Sequence, residues 1–279
     1  MEKGADRLIS EIYNKSRIVA MLAPSFVAQF DYPQIITQLK ELGVDKVVEL
    51  TFGAKMVNRE YHRLLKGAKK LLISSACPGI VETIRHRMPE YRSSLMPVDS
   101  PMIAMAKICK KFYQNHLTLF VSPCIFKKIE AMQSEYVDIV IGYNELEKLF
   151  EQHNIIPKKT KKFITFDKFY NDYTKIYPLS GGLSKTMHAK GILKEDEIKV
   201  IDGITNVLKF LKKPNPKVKF LDVTFCKGGC IGGPLLTNKL SIEDRKKRVM
   251  KYMNVAKKEP IPKGEEGVVE KAKGIKFSS

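Results

Sequence analysis

Short runs of apolar, often β-branched residues alternate along the chain with longer stretches in which apolar positions recur every three or four residues. The runs at 17–23 (RIVAMLA), 46–52 (KVVELTF), 70–74 (KLLIS), 117–122 (LTLFVS), 137–142 (VDIVIG) and 218–225 (VKFLDVTF) predict strands. Helical spacing between them predicts helices over Pro33–Leu42, Ala54–Lys66, Pro78–Met88, Pro101–Asn115, Asn144–Gln152 and Gly203–Lys212. Strand then helix, repeated, predicts an α/β fold with largely parallel sheets: two lobes of twisted sheet flanked by helices, with the candidate site between them.

The polar, irregular segment 153–180 is expected to join the two lobes. PLSGGLSKTMHA (178–189) reads as a turn opening a helix. Its Gly-Gly either cradles an anion at the helix start or is a plain helix entry, and without a Walker pattern the second reading is preferred. After Pro234 the character changes: Ser241 and Asp244 form a capping box, and Val249, Met253 and Ala256 then recur at helical spacing. The expected division is therefore a domain at 1–240 and a basic helical segment and tail at 241–279, with 258–267 as an exposed linker.

Composition narrows the class. The chain has 279 residues, 44% of them hydrophobic, enough for one large domain or two lobes with a real core. No apolar run approaches the roughly 18–20 residues that span a bilayer. The N-terminus is charged and amphipathic, unlike a signal peptide, so the cytoplasm is the expected compartment. The net charge of +19 admits nucleic acid as a partner. The lysines, however, are spread over 158–162, 212–219 and 244–248, with no aromatic residues interleaved. A solvated lysine-rich surface is the simpler reading, an acidic electron-transfer partner the next, and a nucleic-acid-binding protein with a structural metal the least supported.

Five cysteines make no disulfide framework. Cys77 and Cys124 each follow a strand run and lie beside a proline that leads into a helix, Pro78 and Pro123. Cys226 and Cys230 follow a third strand, in TFCKGGCIGG. In open α/β sheets the carboxyl ends of strands are where sites are built, so three strand ends can deliver four thiols to one place. Lys127 and Lys128 supply positive charge beside Cys124, and the glycines around Cys230, Gly229 among them, let backbone approach a bulky inorganic core. Four thiolates without paired histidines fit zinc or an iron–sulfur cluster, and the absence of CxxC knuckles favours the cluster. Cys109 lies mid-helix among apolar neighbours and reads as an inert buried thiol. The five histidines are scattered and read as structural or surface residues.

SSACPGI, SPCIFKKIEA and TFCKGGCIGGP resemble, in order, the three signature segments of the iron-only (FeFe) hydrogenases. APSF (23–26), FGAK (52–55), LSGGLSKT (179–186) and GITNVLKFL (203–211) also resemble parts of that catalytic domain, over roughly residues 17–240. The resemblance implies an H-cluster: a 4Fe-4S cubane held by Cys77, Cys124, Cys226 and Cys230, with Cys230 bridging to a di-iron subsite. That subsite carries carbon monoxide, cyanide and a dithiolate bridge with an amine. Lys127 matches the lysine that hydrogen-bonds one cyanide. Ser25, with Ala23 and Pro24, matches the segment that contacts the other.

The chain departs from the efficient members of that family. Their relay cysteine before the first cluster ligand is here Ala76, and a methyl cannot carry a proton. Two methionines that pack on the di-iron unit appear as Ser122 and Thr224, and a glutamine of the Ser-Pro helix appears as Met102. Glu60 matches a relay glutamate only loosely. Ser100, with Asp99, reads as a helix cap and lies near a possible proton path. No further cysteines exist to hold relay clusters, so electrons would pass directly to a redox or signalling partner, or to a part of the protein not present here. These departures resemble the sensory branch, whose members bind hydrogen and turn it over slowly. The rival implied by the same resemblance is an iron–sulfur cluster scaffold or assembly protein without the di-iron subsite.

Overall fold

The structure, a computed structural model, describes residues 4–158, 164–171 and 174–278. Among these residues the strands are β1 (Ile18–Leu22), β2 (Lys46–Glu49), β3 (Leu72–Ile73), β4 (Leu117–Ser122), β5 (Ile139–Gly142), β6 (Ile198–Asp202) and β7 (Phe220–Thr224). The helices are α1 (Gly4–Tyr13), α2 (Gln34–Leu42), α3 (Thr51–Leu65), α4 (Pro78–Arg87), α5 (Pro101–Phe112), α6 (Phe126–Met132), α7 (Tyr143–Gln152), α8 (Gly182–Thr186), α9 (Ile204–Lys212) and α10 (Ile242–Ala256). One sheet has the order β2-β1-β4-β5 and the other β3-β7-β6, with parallel pairing throughout both. The α/β class with parallel sheets flanked by helices is thus the observed one.

Every residue of β1 is buried, because IVAML has no polar position to offer water and a parallel central strand is covered on both faces. Val19 and Met21 join Phe120 in a core roofed by α3 and α5 through Val57, Tyr61, Met105 and Ile108. Ile18, Ala20 and Leu22 join Leu119 and Val121 in a second core with Leu8 of α1, Ile35 and Leu39 of α2, and Leu146 of α7. Each such Val, Leu, Ile, Met or Phe side chain contributes about 1.5–3 kcal/mol on burial. In the second sheet, Ile73, Leu221 and Val223 face Ile80 and Ile84 of α4 and Val207 and Leu211 of α9. Phe220, on the opposite face, packs in the same core as α3 and α5. The layer of α3 and α5 therefore lies between the two sheets and belongs to both.

Several boundaries differ from expectation. Thr51 and Phe52, read as the end of a strand, open α3, because β2 ends at Glu49 and Leu50 N–H already reaches back to Leu22. β6 was not expected: its exposed Lys199 and Val200 hide the alternation that a sheet edge still uses. The chain also passes between the sheets before 153–180, since β3 of the second sheet precedes β4 and β5 of the first. Of the lysine-rich stretch 158–162, only Lys158 lies within the described residues, where it pairs with Glu41 at 2.8 Å. The C-terminal segment is not a detached tail. Ser241 caps α10 by accepting from Asp244 N–H at 3.1 Å, and Val249, Tyr252 and Ala256 are buried in the second core. The end of the expected linker is tied down too, Tyr170 N–H donating to the Glu265 carbonyl and Gly267 N–H to the Tyr170 carbonyl, and beyond it the Phe277 carbonyl accepts from Asp99 N–H at 3.1 Å. Among the described residues no helix is long and apolar enough to cross a membrane.

Candidate metal centre

Parallel strands end on one side of their sheet, so the turns after β1, β3, β4 and β7 can converge. β1 runs into Ala23, Pro24 and Ser25. β3 leads to Ala76 and to Cys77, the residue that caps α4, with Pro78 in the first helical turn. β4 runs into Pro123 and Cys124, and β7 into the loop bearing Cys226 and Cys230. All four cysteines line one cavity of about 290 Å³, together with Pro123, Thr224, Gly229 and the paired rings of Phe126 and Phe225. The Cys77 sulfur accepts the Phe225 N–H at 3.5 Å. Gly228 and Gly229 have φ of +81° and +80°, which only glycine adopts freely. A Cβ at Gly229 would also lie 2.5 Å from the Pro178 carbonyl. This tight turn lets Cys230 N–H donate to that same carbonyl at 2.7 Å, while Gly228 N–H donates to Asp202 at 3.0 Å.

The thiols sense one another. Burial, then the charges of the neighbouring sulfurs, pushes Cys124 up to about 11 and Cys226 up to about 12. Burial and the other three thiols push Cys230 higher still, and Lys127 acts in the opposite direction on Cys124 and Cys230. Four thiolates around this void need cations between them. Yet among the described residues no three His, Cys, Asp or Glu side chains converge closely enough for a single metal ion. Thiols spaced around a void suit a multi-iron core better than zinc, which gathers its ligands at bonding distance of one atom.

A second, smaller cavity of about 90 Å³ adjoins the first and shares Cys77, Cys124, Cys230, Pro123 and Thr224 with it. Its other walls include Ala23, Pro24, Ser25, Ala76, Met102, Ser122 and Lys127, while Gly229 lines the first cavity. Most of the remaining lining is apolar, from Leu50, Phe120, Leu183 and Val223. Lys127 is buried, and its Nζ donates to Ser100 Oγ at 2.9 Å and to Glu130 at 2.6 Å. Ser25, with no solvent exposure, shares a 2.7 Å hydrogen bond with the Tyr143 hydroxyl. Ser122 Oγ accepts from Cys124 N–H at 3.4 Å, and Thr224 Oγ1 donates to the Cys226 carbonyl at 3.3 Å. Met102 is fully buried.

A model of the family described as iron only hydrogenase large subunit, C-terminal domain, matches residues 16–234. The chain belongs to that family. It is 26% identical over 256 residues to iron hydrogenase 1 of Clostridium pasteurianum, covering 72% of this chain and 44% of that one. It is 23% identical over 217 residues to the cytosolic Fe-S cluster assembly factor NAR1 of Encephalitozoon cuniculi, covering 70% of this chain and 59% of that one. The chain thus spans about half the length of the curated relatives it matches. Its fold matches a variant of the [FeFe]-hydrogenase HydA1 from Chlamydomonas reinhardtii at a TM-score of 0.68, with 13% identity, over 96% of this chain and 90% of that one.

In this member of the iron-only hydrogenase family, the donor set fits the family's iron–sulfur chemistry: four thiols ring one void, and three of them also border a second, mostly apolar one. Cys109 is fully buried in the core and its thiol is raised by burial. Gly181, with φ of +73°, enters α8, whose Ser184 N–H and Oγ donate to the buried Asp222 carboxylate at 2.9 and 2.7 Å. The anion at this helix start is therefore internal to the protein. Ser100 caps α5, whereas Asp99 pairs with Lys107 at 2.6 Å. Glu60 lines a different cleft and pairs with Arg63 at 2.9 Å, away from Ala76. Sequence reasoning missed Tyr143, Tyr177 and Asp222, which reach the site or its lining from far away in the chain with no local pattern to mark them, and Glu130, whose helical i,i+3 spacing from Lys127 was the available signal.

Proposed function

We propose that the chain is a sensory-type FeFe hydrogenase domain that binds hydrogen and oxidises it slowly and reversibly at an H-cluster. Its redox state is read by a partner protein or a further domain. The observation that carries this reading is the second cavity, a mostly apolar chamber sharing three cysteines with the four-thiol void. Cys77, Cys124 and Cys226 would hold the 4Fe-4S cubane, and Cys230 would hold it while bridging to the di-iron subsite with its carbon monoxide, cyanide and azadithiolate ligands. When bound, that group supplies a Lewis-acidic metal with an open position and a base within reach of hydrogen.

The protein's own residues do the rest. Lys127 and Ser25 offer a buried ammonium and hydroxyl to the cyanides. Ala23, Pro24, Pro123 and Met102 exclude water, which strengthens those hydrogen bonds. Gly229 allows the tight turn that seats Cys230. Ser122 and Thr224 present small polar side chains where efficient members place methionines. Ala76 presents a methyl where a relay group would carry the proton away, which is the reason to expect slow turnover. A redox or signalling partner would approach the rim of the four-thiol cavity, where Ile125 is exposed. A reducing, cytoplasmic setting suits four free thiols.

The similarity to the assembly factor NAR1 favours a second reading, a cluster scaffold holding the cubane alone. Infrared spectroscopy after maturation with a synthetic di-iron cofactor separates the two. Carbon monoxide and cyanide bands, with measurable but slow hydrogen oxidation, are expected. A cubane without those bands would establish the scaffold, and turnover equal to efficient hydrogenases would refute the sensory role.

A further inference from the structure

Tyr177 stands just before the turn into α8, and its ring packs against the core shared by α3 and α5. The residue lines the smaller cavity, as Cys230 does. The hydroxyl is buried, and among the described residues no protein group accepts from it or donates to it. A tyrosine hydroxyl carries its own proton, so the group can donate. Asp222 is the carboxylate in its surroundings, but one of its oxygens already accepts twice from Ser184. A buried donor left without an acceptor is costly, and folded proteins rarely keep one unless something else fills the gap. Tyr61, by contrast, is a fully buried tyrosine whose hydroxyl is satisfied: it bonds Ser75 Oγ at 2.9 Å and accepts Ser75 N–H at 2.6 Å.

We propose that the Tyr177 hydroxyl is a ligand-directed donor, held ready for the nitrogen end of a cyanide on the di-iron group. This inference rests on the hydrogenase reading above and adds a third donor to Lys127 and Ser25. Tyr177 belongs to the segment whose Pro178 carbonyl holds Cys230 N–H, so its backbone is tied to the bridging cysteine. Hydrogen bonding there draws electron density off the iron and tunes the group without any change in the cysteines.

The test uses Tyr177→Phe, with Tyr61→Phe as its contrast, and two readouts. In the unloaded protein, Tyr177→Phe removes an orphaned hydroxyl and should raise Tm by about 2–4 °C, whereas Tyr61→Phe should lower it. In protein matured with the synthetic di-iron cofactor, Tyr177→Phe should move the carbon monoxide bands to lower wavenumber, and Tyr61→Phe should leave them in place. Wild-type bands that do not move in Tyr177→Phe would overturn this proposal and leave the hydrogenase reading standing. A fall in Tm of unloaded Tyr177→Phe, or its failure to fold, would assign the hydroxyl a structural role and also overturn it. Absence of bands in the wild type would sink both readings together.

Discussion

Lys175 and Glu49 are each completely buried and form an ion pair. The ammonium sits 4.1 Å from the Tyr170 ring centroid and 4.9 Å from that of Tyr252, a favourable place for a cation. Glu49 also accepts from the Tyr252 hydroxyl at 2.6 Å and from Thr51 at 3.0 Å. Lys175→Met keeps the volume and removes the charge, so Glu49 is left as an uncompensated buried carboxylate. The expected loss is about 3–5 kcal/mol, the usual cost of breaking a buried pair from one side. That is a large part of a typical folding free energy of about 5–15 kcal/mol, and corresponds to a fall in Tm on the order of 10 °C. The double variant Glu49→Gln/Lys175→Met leaves no charge, and the amide oxygen it introduces can still accept from Tyr252, so it should recover to within about 1–2 kcal/mol of the wild type. Thermal and denaturant unfolding of the four proteins without cofactor measures this cycle. If the double variant instead loses the sum of both single losses, charge isolation is not the cause and the reasoning fails. The consequence reaches the site, because Lys175 lies two residues from Tyr177 and three from Pro178, whose carbonyl holds Cys230 N–H; Lys175→Met should also retain less iron.

Three further outcomes follow from the same structure. Replacing Cys77, Cys124, Cys226 or Cys230 by Ala should abolish bound iron and acid-labile sulfide after anaerobic reconstitution, while Cys109→Ala, in the core, keeps both; iron retained by Cys226→Ala would argue against a four-thiol seat. Ala76→Cys places a proton-carrying thiol on the wall of the smaller cavity, so hydrogen oxidation by matured protein should rise by about 10²-fold or more, the usual scale for a restored proton transfer. Asp45 lies below its ordinary value of 3.8: partial burial raises it, but the His116 hydrogen bond and the Lys46 charge outweigh that. Because the folded value is the lower one, its stabilisation is present above about pH 4 and is lost as pH falls through the folded value. The stability difference between wild type and Asp45→Asn, from denaturant unfolding at a series of pH values, should therefore shrink as pH drops below 3.8.

Much of the scaffold was legible in the sequence. The strand runs around β1, β4 and β7 sit where apolar clustering put them, and Cys77, Cys124, Cys226 and Cys230 follow strand ends as expected. β6 was missed because a half-exposed edge strand carries charge where a central strand carries Val and Leu. The end of β2 was overextended because Thr51 and Phe52 are good strand formers that tertiary packing recruits into α3 instead. The C-terminal helix reads as an appendage, yet Tyr252 reaches into the core to bond Glu49.

By itself the amino-acid order determined the periods of its elements, the four thiols placed at strand ends, and a methyl, that of Ala76, immediately before the first of them. Only the tertiary structure decided that two sheets share one helical layer, that the thiols ring a single void with a second chamber beside it, and that Tyr177, which lines that chamber, carries a buried hydroxyl with no acceptor among the described residues. The reason is range. A helical or strand period is set within a few neighbouring residues, whereas a cavity wall is assembled from partners such as Ser25 and Tyr143, 118 positions apart, that meet only when the tertiary fold has formed.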